Sequence, residues 1–141
     1  MLNKPKKFLG QHFLKNKKIL EEMARAAELS KNDVVWEVGP GAGTLTEVLV
    51  LRAKKVIAVE KDRELIPLLQ EKFGGRKNIK IIYGDILKFD MAALKLKNYK
   101  IVANIPYYIT SRFLRLFLSE TKFRPKLMVL MVQKEVAERI S

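Results

Sequence analysis

Cysteine is absent from these 141 residues, and that absence removes disulfides, thiolate metal sites and cysteine nucleophiles together. Histidine occurs once, at His12, and a lone histidine cannot build a metal site, so no metal is expected. No apolar run approaches the roughly 18 residues of a membrane-crossing helix. The N-terminus is basic but has no apolar core of a secretory signal. A cytoplasmic monomer with no membrane partner is the expectation. Acidic residues are scarce: 15 Asp and Glu stand against 28 Lys and Arg, a net charge of +13. Residues 1–18 carry six lysines, Lys4, Lys6, Lys7, Lys15, Lys17 and Lys18, and no acid. A field of one sign favours polyanions and makes association salt-dependent. A solvated lysine-rich surface of the kind common in hot environments is the bland alternative. The one-sided surplus favours nucleic acid, because paired surface networks carry both signs.

What remains is one domain's worth of chain, 48% hydrophobic, enough to bury a core. Apolar residues between Ile19 and Leu29 recur at helical spacing. Short apolar runs at Val34–Val38, Val56–Val59, Ile79–Tyr83, Tyr99–Ala103 and Leu127–Val132 read as buried strands. Helical patterns fall at Thr44–Leu51, Leu65–Phe73, Thr110–Leu118 and from Lys134 onward, with Pro67 in the first turn of its helix or bending it. Alternation of this kind predicts an α/β fold, a mostly parallel sheet with helices on both faces. Ligands then bind at the C-terminal ends of the strands. Those ends are Gly39, Glu60, Gly84-Asp85 and Asn104.

Glu37-Val-Gly-Pro-Gly-Ala-Gly43 follows a strand and precedes a helix. In that setting glycines let a ligand approach the backbone, and the helix N-terminus offers free N–H groups. A tight turn with no ligand would also use glycine. Glu60 ends the second strand 21 residues after Gly39, where an acid grips ribose hydroxyls; a helix-entry acid favoured by the dipole is the plainer reading. Glu37 at the mouth of the turn would repel a pyrophosphate and tolerate a methionine ammonium or sulfonium. Gly84-Asp85-Ile86 offers a carboxylate for an adenine amino group and a backbone N–H for a ring nitrogen, although Asp85 could equally be a turn or cap residue.

Asn104-Ile105-Pro106-Tyr107 lies 61 residues after Gly43. Adenine N6 is a poor nucleophile because its lone pair is delocalised into the ring. Acceptors aimed at both N–H bonds, the Asn104 side-chain oxygen and the Ile105 carbonyl, make it more nucleophilic, with Pro106 stiffening the loop. Tyr107 can stack on a base that has left its helix or stands in a single-stranded loop. The simpler reading is an Asn-x-Pro turn with tyrosines packed nearby. Taken with the glycine turn, the set suggests methyl transfer from S-adenosylmethionine to adenine N6. Attack on a sulfonium needs placement more than a strong base. Trp36, within a strand run, is expected in the core, and His12 reads by itself as a surface or helix-entry residue.

The motifs together resemble the ribosomal RNA adenine N6,N6-dimethyltransferase family of the KsgA type. They are Phe8-Leu-Gly-Gln-His-Phe-Leu14, Glu37 to Thr46, Val59-Glu60, Gly84-Asp85-Ile86-Leu87, Asn104 to Tyr107 and Met131 to Arg139, and they span nearly the whole chain. The resemblance implies a Rossmann-like methyltransferase fold, S-adenosylmethionine as donor, and dimethylation of two adjacent adenines in small-subunit ribosomal RNA during ribosome assembly. It implies cofactor contacts from Gln11, His12 and Leu14, from Gly39 and Gly41 at the methionine end, and from Glu60 and Lys61 at the ribose. Asp85 and Ile86 would meet the adenine, and Asn104 would lie near the reacting centre. Lys4, Lys6, Lys7 and Lys15 would meet RNA. On this reading residues 1–18 are a basic arm and residues 19–141 a cofactor-binding domain cut after its fifth strand. The family's further strands, its second aromatic-and-proline motif and its helical C-terminal RNA domain are absent, so reduced or no activity is expected. The Erm type, which methylates large-subunit RNA and confers macrolide resistance, shares the run at 104–109. The motifs are also compatible with a non-catalytic RNA-binding assembly factor and with a DNA adenine methyltransferase. The runs at 10–14 and 133–139 lean toward the KsgA type.

Overall fold

The computed structural model describes residues 16–89 and 98–131. Five strands form one parallel sheet in the order β3-β2-β1-β4-β5. They are β1 (Val34–Val38), β2 (Lys55–Glu60), β3 (Ile79–Tyr83), β4 (Tyr99–Asn104) and β5 (Leu127–Met131). The helices are α1 (Lys17–Ala26), α2 (Thr44–Arg52), α3 (Ile66–Phe73) and α4 (Tyr107–Arg115), the last running on into a π-helical turn at Leu116–Glu120. Short 3-10 turns at Arg63–Leu65 and Ile86–Lys88 follow β2 and β3. Among the described residues no helix is long and apolar enough to cross a membrane.

Local chemistry accounts for the element ends. Asn16 caps α1, its side chain accepting the N–H groups of Lys18 (3.0 Å) and Ile19 (3.4 Å), so the helix starts two residues before its apolar period does. Pro67 sits in the first turn of α3, where its missing N–H costs nothing. The fourth helix departs from expectation: it starts at Tyr107, not Thr110. Pro106 serves as N-cap at φ −60° and ψ 141°, a conformation its ring favours, and the chain turns helical at the next residue. The expected helix from Lys134 onward and the strand residue Val132 lie outside the described residues.

Alternation along the strands divides the core in two. Val35, Val56 and Val102 face α1, α2 and α3, packing with Leu20, Leu49 and Phe73. Trp36, Ile57, Val59 and Ile101 face the other way, against Phe113 of α4, Phe117 of the π-helical turn and Ile86. Trp36 is a core residue, as expected, with its ring edge-on to Phe89 at 5.7 Å. Full burial of such a side chain stabilises the fold by about 3 kcal/mol.

The order of the strands matters for the site. The chain leaves β1 to one side for β2 and β3, and returns to the other side for β4 and β5. The reversal falls between β1 and β4, which are hydrogen-bonded neighbours. A crevice opens at such a switch point, at the C-terminal strand ends.

Candidate functional site

Gly39-Pro40-Gly41-Ala42-Gly43 crosses the end of β1 and delivers the chain into α2. The Gly39 N–H donates to the Val59 carbonyl (2.9 Å) and the Gly43 N–H to the Pro40 carbonyl (2.8 Å). Gly43 is held at φ +87°, and a Cβ there would stand 2.7 Å from the Phe73 ring. A side chain is therefore excluded both by the left-handed backbone and by α3 underneath. A Cβ on Gly39 would meet the carbonyl oxygen of Asn104 at 3.9 Å, so the turn and the Asn104 segment lie side by side.

Glu60 ties the turn to the end of β2. Its Oε1 accepts the Gly41 N–H (2.9 Å) and its Oε2 accepts the Asp62 N–H (2.8 Å). The carboxylate is buried, held by two backbone donors that give charge-assisted bonds, and each oxygen keeps a lone pair for a further donor. One strand over, the Asp85 Oδ1 accepts the Leu87 N–H (3.0 Å) and caps the 3-10 turn. Its Oδ2 lies 3.9 Å from the exposed Lys61 ammonium. The capping reading of Asp85 is thus correct, and it leaves the second oxygen facing outward. Ile86 is buried beside it.

Asn104 ends β4 with its residue only 8% exposed. Among the described residues no hydrogen bond engages its side-chain amide. Ile105 is buried, and its N–H donates to the Met131 carbonyl (3.1 Å). The Pro106 carbonyl accepts from the Ile109 N–H (3.2 Å) and the Thr110 hydroxyl (3.0 Å). These bonds lock the loop to α4 and β5. Tyr107 is the first residue of α4 rather than a loop residue, and its side chain lies outside the described residues.

Glu37 differs from expectation. Alternation puts its side chain on the Val35 face, beneath the turn, where it is fully buried against α2 and accepts a hydrogen bond from the Thr46 hydroxyl. Burial pushes its pKa up to about 8, with the Glu60 charge adding to the shift and the Thr46 bond opposing it. At neutral pH the group holds its proton. A neutral acid does not repel a pyrophosphate, so charge at Glu37 is no ground for preferring a sulfonium donor.

Gly39, Gly41, Glu60 and Asn104 come together at the switch point, with Lys61, Asp85 and Ile86 at the adjoining strand ends. Gln11, His12, Leu14, Lys4, Lys6, Lys7 and Lys15 lie outside the described residues. Two supporting residues had no assigned role in the sequence. Thr46 lies nine residues after Glu37, inside the glycine motif itself. Lys72 of α3 donates to the Ala42 carbonyl (3.2 Å) and pairs with Glu47 (2.8 Å); no sequence signal ties it to the turn, because only the fold brings α3 beneath it.

Comparison with known proteins agrees with this geometry. The family model described as ribosomal RNA adenine dimethylase matches residues 2–141. A ribosomal RNA small subunit methyltransferase A from Dehalococcoides mccartyi is 53% identical over 139 residues, covering 97% of this chain and 47% of that protein. The chain spans about half the length of the curated relatives it matches. Among crystal structures, a dimethyladenosine transferase from Plasmodium falciparum superposes with a TM-score of 0.77 at 34% identity, over 89% of this chain and 44% of that one. The 23S rRNA methyltransferase ErmE gives 0.75 at 32%, over 86% and 48%. More distant methyltransferases share the fold alone.

Proposed function

The chain belongs to the ribosomal RNA adenine dimethylase family, and from that membership we propose that it forms the cofactor-binding and reacting portion of an enzyme that methylates N6 of adenines in small-subunit ribosomal RNA, with S-adenosylmethionine as donor. The observation that carries this reading is the place of Asn104, at the end of β4, only 8% exposed and beside the glycine turn.

The donor fits the residues present. The Glu60 carboxylate keeps acceptor capacity for ribose hydroxyls, Asp85 keeps an outward oxygen for an adenine amino group, and the backbone of the turn is open to close approach. When bound, S-adenosylmethionine supplies an electrophilic methyl group. The chain's own part is to hold and polarise the acceptor. The Asn104 side-chain oxygen accepts an N–H of the target amine and draws the nitrogen lone pair out of conjugation. Pro106, fastened through its carbonyl to Ile109 and Thr110, keeps that oxygen from drifting. No strong base is needed, since the methylated amine sheds its proton to water.

The small-subunit target is favoured over an Erm-type large-subunit target by sequence: 53% identity to the Dehalococcoides protein against 32% to ErmE. Overall shape does not separate the two. The test combines calorimetric titration with S-adenosylmethionine and a methyl-transfer assay on small-subunit particles, using Glu60→Ala and Asn104→Ala. Glu60→Ala is expected to abolish cofactor binding. Asn104→Ala is expected to retain binding within severalfold and lose methyl transfer by about a hundredfold, as for loss of one preorganised polar contact. Methyl transfer undiminished by Asn104→Ala, with the modified base mapped to adenine N6, would refute the assignment of the reacting loop.

A further inference from the structure

All five strands run parallel, so their N-terminal ends share one end of the sheet, away from the crevice by about 17 Å for a five-residue strand. Charge divides unevenly between the two ends. Residues 28–33, 53–55, 74–78 and 121–126, which lead into β1, β2, β3 and β5, carry eight Lys and Arg and two acids. Residues 39–43, 60–65, 84–88 and 104–107, at the crevice end, carry three Lys and Arg and four acids. Of the two acids at the far end, Asp33 is buried and already shared by the ammonium groups of Lys100 (3.2 Å) and Lys126 (3.8 Å), and Glu28 alone is exposed. Lys31, Lys54, Lys55, Lys77, Lys122 and Arg124 are exposed, with no ion pair among the described residues. Hydrogen bonds join their segments into one rigid end. The Lys54 and Lys55 N–H groups donate to the Asp33 carbonyl (2.9 and 3.3 Å), the Val56 N–H to the Asn78 carbonyl (2.8 Å) and the Lys126 N–H to the Tyr99 carbonyl (2.8 Å). The Tyr99 hydroxyl donates to the Phe123 carbonyl, and the Asn78 amide to the Val50 carbonyl (2.8 Å).

Resting on the proposal that the substrate is ribosomal RNA, we propose that this end of the sheet is a second RNA-binding surface, which grips the phosphate backbone of a duplex segment while the opposite end works on the target base. Four strand spacings separate β3 from β5, about 19 Å at about 4.8 Å each, enough to reach phosphates on both sides of a duplex groove. Among the described residues of these segments no aromatic ring is exposed: Phe123 is half-buried against the core, and so is the adjoining Tyr99, which is fully buried. Unpaired bases, which are held by stacking, find no platform here. A paired helix presents its backbone and needs none. Such contacts fix orientation and carry no sequence information. An acidic protein partner is served less well, because a protein interface is built on an apolar centre and is poor in lysine, and these segments expose no large apolar side chain.

The test is fluorescence anisotropy of the protein with a labelled RNA duplex of about 16 base pairs over a salt series, beside calorimetric titration with S-adenosylmethionine. Each phosphate contact on a double strand adds about 0.9 to the slope of log affinity on log salt. Lys54→Gln with Lys77→Gln is expected to lower that slope by about 1.8, so that the affinity ratio between about 50 and 200 mM salt shrinks about twelvefold. Lys80→Gln with Lys88→Gln removes the same charge away from this end and should leave the slope unchanged. Cofactor binding and thermal unfolding should match the parent protein in both variants, since all four lysines are exposed. An unchanged slope in Lys54→Gln with Lys77→Gln, or an equal loss in the control pair, overturns the surface. Polyglutamate that displaces the duplex at equal charge concentration overturns the choice of RNA and points to an acidic protein partner. A parent protein that binds the duplex with the expected slope but does not bind the cofactor would instead sink the proposed function and leave the surface standing.

Discussion

Glu37 should make the protein lose stability as pH rises through neutrality, and replacing it with glutamine should remove that loss. The carboxyl group is fully buried beneath the glycine turn, and its pKa is pushed from the usual 4.5 up to about 8. In the unfolded chain the group ionises near its usual value, while the folded protein keeps the proton. Between the two values the folded state binds more protons, so unfolding becomes easier as pH rises. The contribution is fully present below pH 4.5, falls through the interval, and levels off above about 8. At about 1.4 kcal/mol for each pKa unit, the interval corresponds to a ceiling of about 5 kcal/mol. Relaxation and water penetration around a buried charge reduce this, and about 2–3 kcal/mol is the expected effect. Urea unfolding of the parent protein and Glu37→Gln at pH 5, 6.5 and 8 measures it, because titrating groups that do not interact with Glu37 cancel in the difference, leaving Glu37 and its coupling to Glu60. Glutamine can still accept the Thr46 hydroxyl, so the hydrogen bond survives. The variant should gain on the parent with each step in pH. A difference that stays flat from pH 5 to 8 would show that Glu37 ionises normally and that its burial is relieved in solution. A cation bound over the turn would favour the ionised form, so binding heats at pH 7 should depend on the buffer in the parent and not in Glu37→Gln.

Two further perturbations probe the supports of the site and the opposite end of the sheet. Lys72→Met removes the bond to the Ala42 carbonyl and the pair with Glu47; stability should change by less than about 1 kcal/mol, while affinity for S-adenosylmethionine drops about three- to tenfold as the turn loosens. Lys72→Arg should recover most of it in calorimetry, and an affinity unaffected by Lys72→Met would mean the turn holds itself. Lys100 is buried with its ammonium donating to the Ala27 and Glu28 carbonyls (2.8 and 2.9 Å) and to the Asp33 Oδ2 (3.2 Å). Burial raises the pKa of Asp33, but the Ser30 N–H and the Lys100 bonds outweigh it and hold the carboxyl below its usual 3.8. Lys100→Met should therefore destabilise by about 2–3 kcal/mol in urea unfolding at pH 7, since it leaves two carbonyls without their donor and the buried Asp33 carboxylate with only Ser30 (2.8 Å) and the half-exposed Lys126 (3.8 Å). The Asp33 contribution is present above its unfolded value of 3.8 and should fade as pH falls below it. A loss of under about 1 kcal/mol would mean water replaces the ammonium.

The strands were legible because each is a short apolar run, and the first four appear within a residue of both expected ends, as does the start of the fifth. The fourth helix was legible in type and misplaced at its start. Tyrosines are indifferent helix formers, so Tyr107 and Tyr108 read as loop, whereas Pro106 had already set the backbone for the first turn. Glu37 was misread for another reason: its place at the mouth of the turn suggested a solvent-facing charge, but the period-2 alternation of β1 carries it to the Val35 face, against Thr46.

From sequence alone came the α/β class, the residues of the turn, the acid at the end of β2 and the Asn104 loop, since apolar periodicity and motif spacing are local properties of the chain. Tertiary structure alone decided the strand order, and with it the juxtaposition of Gly39 with Asn104 across the β1–β4 boundary. It also decided that Glu60 would be gripped by Gly41, that Lys72 would reach the turn, and that Glu37 would keep its proton. Each of these depends on which elements become neighbours and how much water is expelled between them, and neither quantity is written in any short stretch of chain.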